Sequence, residues 1–214
     1  MASVCALAPQ ADSHFRFLDL SPELRNQIYR YCLTDSEVLA VRSGASLNPP
    51  QRRWYILRAP PLTQPVLSTN LLATCKKIHD EATPILYGSN TFEVDSYETG
   101  HPLFVSWTET IAASISLVRN VRVGGITNRS VAVENLRGLH AATSLQSLVV
   151  LGDFRLTFCT ASTIAKALLP LMLRLHRCRK DTGLKGAFDV LDLSLLPEAV
   201  VEKVMAILKQ RLKC

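Results

Sequence analysis

The spacing of apolar residues from residue 101 onward alternates between that of helices and that of strands. It predicts helices at 101–117, 131–142, 161–179 and 197–213, and strands at 118–123, 145–151 and 188–193. A period of about 3.6 indicates a helix and a period of 2 a strand. Because strands separated by helices pair in parallel through crossovers, this pattern predicts an α/β fold with a mostly parallel sheet.

The three predicted strands share one apolar spacing, L-x-x-L-x-L. It is found at Val118-x-x-Val121-x-Val123, Leu145-x-x-Leu148-x-Val150 and Phe188-x-x-Leu191-x-Leu193. These segments start 27 and then 43 residues apart. The first interval fits the leucine-rich-repeat period of roughly 20–29 residues, and the second requires an insertion. The pattern predicts βα repeat-like units; the alternative is a plain open α/β layer.

A helix signal opens the N-terminal part, after a stretch at 1–14 that is typical of a flexible tail. Ser21 suits an N-cap and Pro22 the first helical position. The helix is expected to end near residues 33–34, and its apolar stripe is predicted at Leu24, Ile28, Tyr31 and Cys32.

A hairpin and a second helix are predicted next. Strands at 38–42 and 54–57 enclose turn-forming residues and predict a hairpin with a long loop. A helix is expected at 70–83, interrupted by Pro84, and a strand at 90–94. The apolar stripe of this helix is predicted at Leu71, Cys75, Ile78 and Ala82.

The positive charge of the chain lies in its second half. The 214 residues carry a formal net charge of +6, with 9 basic and 10 acidic residues in 1–100 and 15 and 8 in 101–214. A candidate patch for nucleic acid or another anionic partner consists of Arg174, Arg177, Arg179 and Lys180. The alternative is helix capping, because cations at helix C-termini complement the helix dipole. No aromatic residues are interleaved with the patch, which makes nucleic acid an unlikely partner.

Catalytic and metal-binding motifs are missing from the sequence. It contains no G-x-S-x-G, H-E-x-x-H, Walker A, G-x-G-x-x-G or C-x-x-C motif. Cys75 and His79 share a helix face but have no further ligands at metal-binding spacing. We therefore predict no enzymatic activity, no metal and no cofactor. The chain also has no apolar run of about 18 residues and no signal peptide, so we expect an intracellular protein, cytoplasmic or nuclear, with no membrane association.

Two N-terminal segments resemble a fungal F-box-like family. They are Pro22-Glu-Leu-Arg-Asn-Gln-Ile-Tyr29 and Cys75-Lys-Lys-Ile-His-Asp-Glu-Ala-Thr-Pro-Ile-Leu-Tyr-Gly-Ser-Asn-Thr-Phe92. The resemblance covers about residues 15–95. This sequence has Ser21 where the F-box motif usually has a proline, and an insertion of about 35 residues separates the two helices.

The resemblance implies a protein–protein interaction role. F-box domains dock on the Skp adaptor of cullin-type ubiquitin ligases, and a following repeat domain holds the substrate. Carried over to this chain, the adaptor contacts would be Leu20, Pro22, Leu24, Ile28, Tyr29, Leu71, Cys75 and Ile78. The alternative is that these apolar residues form an ordinary helix–helix core.

The whole sequence therefore predicts three parts. These are a tail at 1–14, an F-box-like unit with an inserted hairpin at 15–95, and a leucine-rich-like α/β domain at 96–214. The predicted function is non-catalytic protein–protein interaction, and the resemblance implies substrate recruitment for a cullin-type ubiquitin ligase. The alternative is a basic binding module for nucleic acid or another anionic partner.

Overall fold

The fold is taken from a computed structural model. It describes residues 15–43, 54–58, 67–94, 103–124, 136–151, 160–179 and 186–212, with the backbone alone at 42–43, 54–58 and 103–106. The helices are α1 (Pro22–Leu33), α2 (Lys76–Ser89), α3 (Leu103–Ile111), α4 (Ala161–Arg179), α5 (Ala187–Val190) and α6 (Glu198–Leu212). The strands are β1 (Leu39–Ser43), β2 (Trp54–Arg58), β3 (Thr91–Val94), β4 (Asn120–Val123), β5 (Ser147–Val150) and β6 (Leu191–Asp192).

One sheet contains all six strands, in the order β2-β1-β3-β4-β5-β6. Strands β1, β3, β4, β5 and β6 are parallel, and β2 pairs with β1 in the antiparallel sense. The predicted α/β fold with a mostly parallel sheet is therefore confirmed. The predicted hairpin is confirmed as well, and its strand β1 is an integral member of the parallel sheet.

The core covers one face of this sheet. Alternate residues along β3, β4 and β5 are buried, as expected when one sheet face packs against other elements. The buried rows run across the strands in register and consist of Leu39, Phe92, Val121 and Leu148, then Val41, Val94, Val123 and Val150. The buried side chains of α1, α2, α4 and α6 belong to the same cluster.

The opposite face of the sheet is polar and lies outside that core. Within the described part of the chain, its side chains on β3 to β6 are half-buried or exposed, although Ala40 on β1 is buried. An ion pair between Arg122 and Glu93, Nε to Oε2 at 3.5 Å, crosses two neighbouring strands on this face.

The long helix α4 packs against α6. Its bounds agree with the prediction, and Ile164, Leu168, Leu171 and Leu175 are buried as their helical spacing predicts. Pro170 lies inside α4 and the helix continues through it.

Two predicted elements differ from the structure. The helix predicted at 70–83 is a 3-10 turn, Thr69–Ala73, followed by α2, which continues through Pro84. Pro84 itself is exposed. The strand predicted at 188–193 is reduced to β6, because Asp189 accepts a hydrogen bond from the amide of Gly186 at 2.9 Å and favours the helical turn α5.

The domain boundary predicted at residues 95 and 96 falls in a segment outside the described residues. On either side of it, β3 and β4 pair through four residues each. The buried cluster also joins both sides, since Phe92 and Trp107 have ring centroids 5.3 Å apart. The sheet and core are therefore continuous from β1 to β6.

No helix among the described residues is long and apolar enough to cross a membrane.

Candidate functional site

A polar contact between α1 and α2 determines which side of α1 faces the core. The Arg25 guanidinium is 4% exposed and donates to both oxygens of Glu81, from Nε at 2.9 Å and from Nη2 at 2.7 Å. Its Nη1 donates to the carbonyls of Leu18 at 3.2 Å and Leu20 at 2.5 Å. These four hydrogen bonds join α1, α2 and the segment that precedes α1. The paired hydrogen bonds from the Arg25 guanidinium to the Glu81 carboxylate fix the relative orientation of the two groups.

Tyr29 completes this contact from the next turn of α1. Its hydroxyl donates to Glu81 Oε2 at 2.9 Å, and its ring lies 5.7 Å from that of Phe17. Burial and the hydrogen bond to Glu81 raise the pKa of Tyr29 to about 12. The hydrogen bonds from Arg25 lower the pKa of Glu81, so the carboxylate stays ionised.

A second polar contact joins the C-terminal ends of the same two helices. The buried side-chain amide of Asn90 donates to the carbonyls of Leu33 and Leu86, each at 2.7 Å, and accepts from the Asp35 amide at 2.8 Å. Asn90 therefore satisfies the helix-terminal carbonyls that no helical amide reaches. Arg25, Glu81 and Asn90 were not predicted as site residues, although all three lie in the two segments that resemble F-box-like proteins.

The buried side of α1 is Arg25, Tyr29 and Leu33, at spacing i, i+4 and i+8. This corrects the predicted stripe. Leu24 is 49% exposed and Tyr31 is 80% exposed, while Ile28 between them is half-buried. We name these three residues the outer face of α1.

The eight predicted adaptor contacts are divided by the structure into three groups. Pro22, Leu24 and Cys75 are exposed, Leu20, Ile28 and Leu71 are half-buried, and Tyr29 and Ile78 are buried. Tyr29 and Ile78 are core residues, contrary to their prediction as partner contacts, because both belong to the buried cluster. Tyr31 is the most exposed large apolar residue described, and the predicted contact set omitted it.

The predicted anionic patch is only partly at the surface. Arg177 is exposed and Arg174 half-buried, and Lys180 lies outside the described residues. Arg179 is buried and donates from Nη2 to the Leu145 carbonyl, so it cannot contribute to an exposed patch. Basic residues occupy the last turns of α4 and α6, where the helix dipole favours them.

The cysteine and histidine residues show no metal cluster within the described ranges. Cys75 precedes α2 as its N-cap residue and is exposed. His79 is exposed as well, with Nδ1 3.6 Å from Asp80 Oδ1. A third ligand does not accompany this pair in the part of the chain that the structure describes.

Comparison with known proteins adds no relative. A scan against models of protein families, a search of curated proteins and a search of solved structures each find no match to this chain.

Proposed function

We propose that this chain is a non-catalytic protein–protein interaction protein that docks a partner through the outer face of α1. One observation carries the proposal: Leu24 and Tyr31 are exposed on the same side of a helix whose orientation the Arg25–Glu81 contact fixes. Large side chains that stay exposed on an oriented helix are a ready binding surface, because a partner can bury them without reorganising the helix.

The residues before α1 extend this surface. Phe15 is 75% exposed and Leu18 is 40% exposed, and both lie within ten residues of Leu24 along the chain. A stable interface needs roughly 800 Å² from each partner, more than three side chains supply. Tyr31 suits the centre of such an interface, because it combines a large apolar ring with a polar hydroxyl.

The resemblance to F-box-like proteins gives the partner class. We propose that the outer face of α1 binds a Skp-type adaptor of a cullin ubiquitin ligase, and that the α/β sheet holds the substrate. The polar sheet face with Glu93, Arg122 and Asp192 supports the second part, because it lies outside the core within the described chain. Repeat proteins commonly bind partners on such a face.

An affinity capture read by mass spectrometry tests the adaptor assignment. The bait is the full chain, with Tyr31→Asp as the surface variant and Leu195→Asp as the control, because Leu195 is an exposed leucine in the distant C-terminal part. We expect adaptor and cullin peptides with the wild type and the control, and their loss with Tyr31→Asp. Capture without any adaptor or cullin peptides would reject the adaptor assignment.

A further inference from the structure

A groove of about 350 Å³ lies between the helical residues 136–141 and α4. Its lining consists of Leu136, Arg137, His140, Ala167 and Pro170. Small-molecule sites in proteins fall in the range of about 300–1,000 Å³ and combine apolar walls with a few polar groups. The groove has this composition, and it uses no residue of the outer face of α1.

The walls of the groove are apolar. Of its lining residues, Leu136 and Ala167 are buried and Pro170 is exposed. The small side chain at Ala167 leaves the space that a larger residue would fill. A hydrocarbon chain suits this lining, because burying apolar groups releases them from water.

The polar groups of the groove are both basic. Arg137 and His140 are three residues apart in a helical stretch, so their side chains lie on the same side of it. Arginine is cationic at any physiological pH and can hold a carboxylate through two parallel hydrogen bonds.

The two described segments that line the groove carry no acidic residue. Residues 136–151 and α4 contain no aspartate or glutamate, and α4 adds the exposed Lys166 and Arg177. An anionic group is therefore favoured over a cationic one at this site.

We propose that this groove binds a medium-chain alkyl carboxylate. The carboxylate accepts hydrogen bonds from the Arg137 guanidinium and from a ring N–H of His140, and the alkyl chain lies against Leu136, Ala167 and Pro170. A nucleic acid fits less well, because none of the described residues that line the groove is a phenylalanine, tyrosine or tryptophan on which a base could stack.

The proposal is tested by titrating the full chain with octanoate, octylammonium and octanol, and measuring binding by calorimetry and by the shift in melting temperature. We expect octanoate to bind most tightly, with a dissociation constant below about 1 mM. Arg137→Gln should weaken octanoate binding by about tenfold or more, since a hydrogen bond to a charged group is lost.

Two further variants make the result decisive. Ala167→Phe should abolish octanoate binding by filling the groove, whereas Arg177→Gln, on the same helix outside the groove, should bind octanoate within about twofold of the wild type. Octylammonium binding as tight as octanoate, unchanged binding by Arg137→Gln, or no octanoate binding at all would overturn the proposal. Arg137 and Arg177 are exposed, so these two substitutions leave the fold in place.

Discussion

Arg25 and Glu81 are 56 residues apart in the sequence and face each other through two hydrogen bonds of 2.9 and 2.7 Å. The pair joins α1 to α2 and directs the Arg25, Tyr29 and Leu33 side of α1 into the molecule. Because a helix that buries one side exposes the opposite side, the same contact presents Leu24 and Tyr31 to solvent. Arg25 and Glu81 therefore orient the apolar surface that we propose as the docking site.

Glu81→Gln should destabilise the fold. The substitution removes the negative charge opposite Arg25, whose side chain is 5% exposed, and leaves the guanidinium without its ionised partner. We expect a clear fall in the urea midpoint. Asp80→Asn is the matched control, because it changes an exposed carboxylate on the same helix and should leave the midpoint nearly unchanged. Equal midpoints for the two variants would contradict a stabilising role for the pair.

The same carboxylate should make the fold sensitive to acid. Arg25 lowers the pKa of Glu81 below its usual value of 4.5. The stabilisation that the ionised Glu81 carboxylate gives to the fold is therefore fully present above pH 4.5, and it is lost as the pH falls through the lower pKa of the folded state. The unfolding free energy of the wild type should therefore fall more steeply below pH 4.5 than that of Glu81→Gln. Parallel acid profiles of the two proteins would show that Glu81 has the same pKa in the folded and unfolded states.

Tyr29 should make the fold sensitive to alkali. Its pKa rises from 10.0 to about 12, so the folded state keeps the hydroxyl protonated where the unfolded chain ionises. The stabilisation that the neutral Tyr29 hydroxyl gives to the fold is fully present below pH 10, and it is lost as the pH rises through about 12. The urea midpoint of the wild type should therefore drop more than that of Tyr29→Phe between pH 10 and 12. An identical drop in both proteins would mean that the Tyr29 hydroxyl is not held neutral.

The continuous sheet predicts one cooperative unfolding transition. Leu33 on α1 and Trp107 on α3 belong to one buried cluster, on opposite sides of the segment 95–102. In a Trp54→Phe background, Trp107 fluorescence should report the same midpoint as far-ultraviolet circular dichroism. Leu33→Ala should lower both midpoints together, with a cost of about 2–5 kcal/mol for the cavity. A Trp107 transition that Leu33→Ala does not move would show two independent units.

The sequence predicts the regular elements well where apolar periodicity is long. The bounds of α4 agree because its apolar residues repeat over five turns, and those of α1 because Pro22 marks its start. The α/β class follows from alternating periods, which depend on local sequence alone.

The side of α1 that faces the core could not be predicted from that periodicity. Counting apolar residues selects Leu24, Ile28 and Tyr31, whereas the buried side begins with a charged residue. Arg25 is buried because Glu81 reaches it from another helix, and such a long-range partner leaves no local signal. The shortened β6 has a different origin, because a local hydrogen bond from the Gly186 amide to Asp189 outweighs the strand pattern.

The affinity of the outer face of α1 for a purified Skp-type adaptor tests the proposed docking most directly. Isothermal titration of the wild type, Tyr31→Asp and Leu195→Asp measures it, with melting temperatures as the check on folding. We predict that the adaptor binds the wild type and Leu195→Asp equally, and that Tyr31→Asp weakens binding by about tenfold or more at an unchanged melting temperature. Equal adaptor affinity of Tyr31→Asp and the wild type, or no adaptor binding by the wild type, would contradict docking of the adaptor on the outer face of α1.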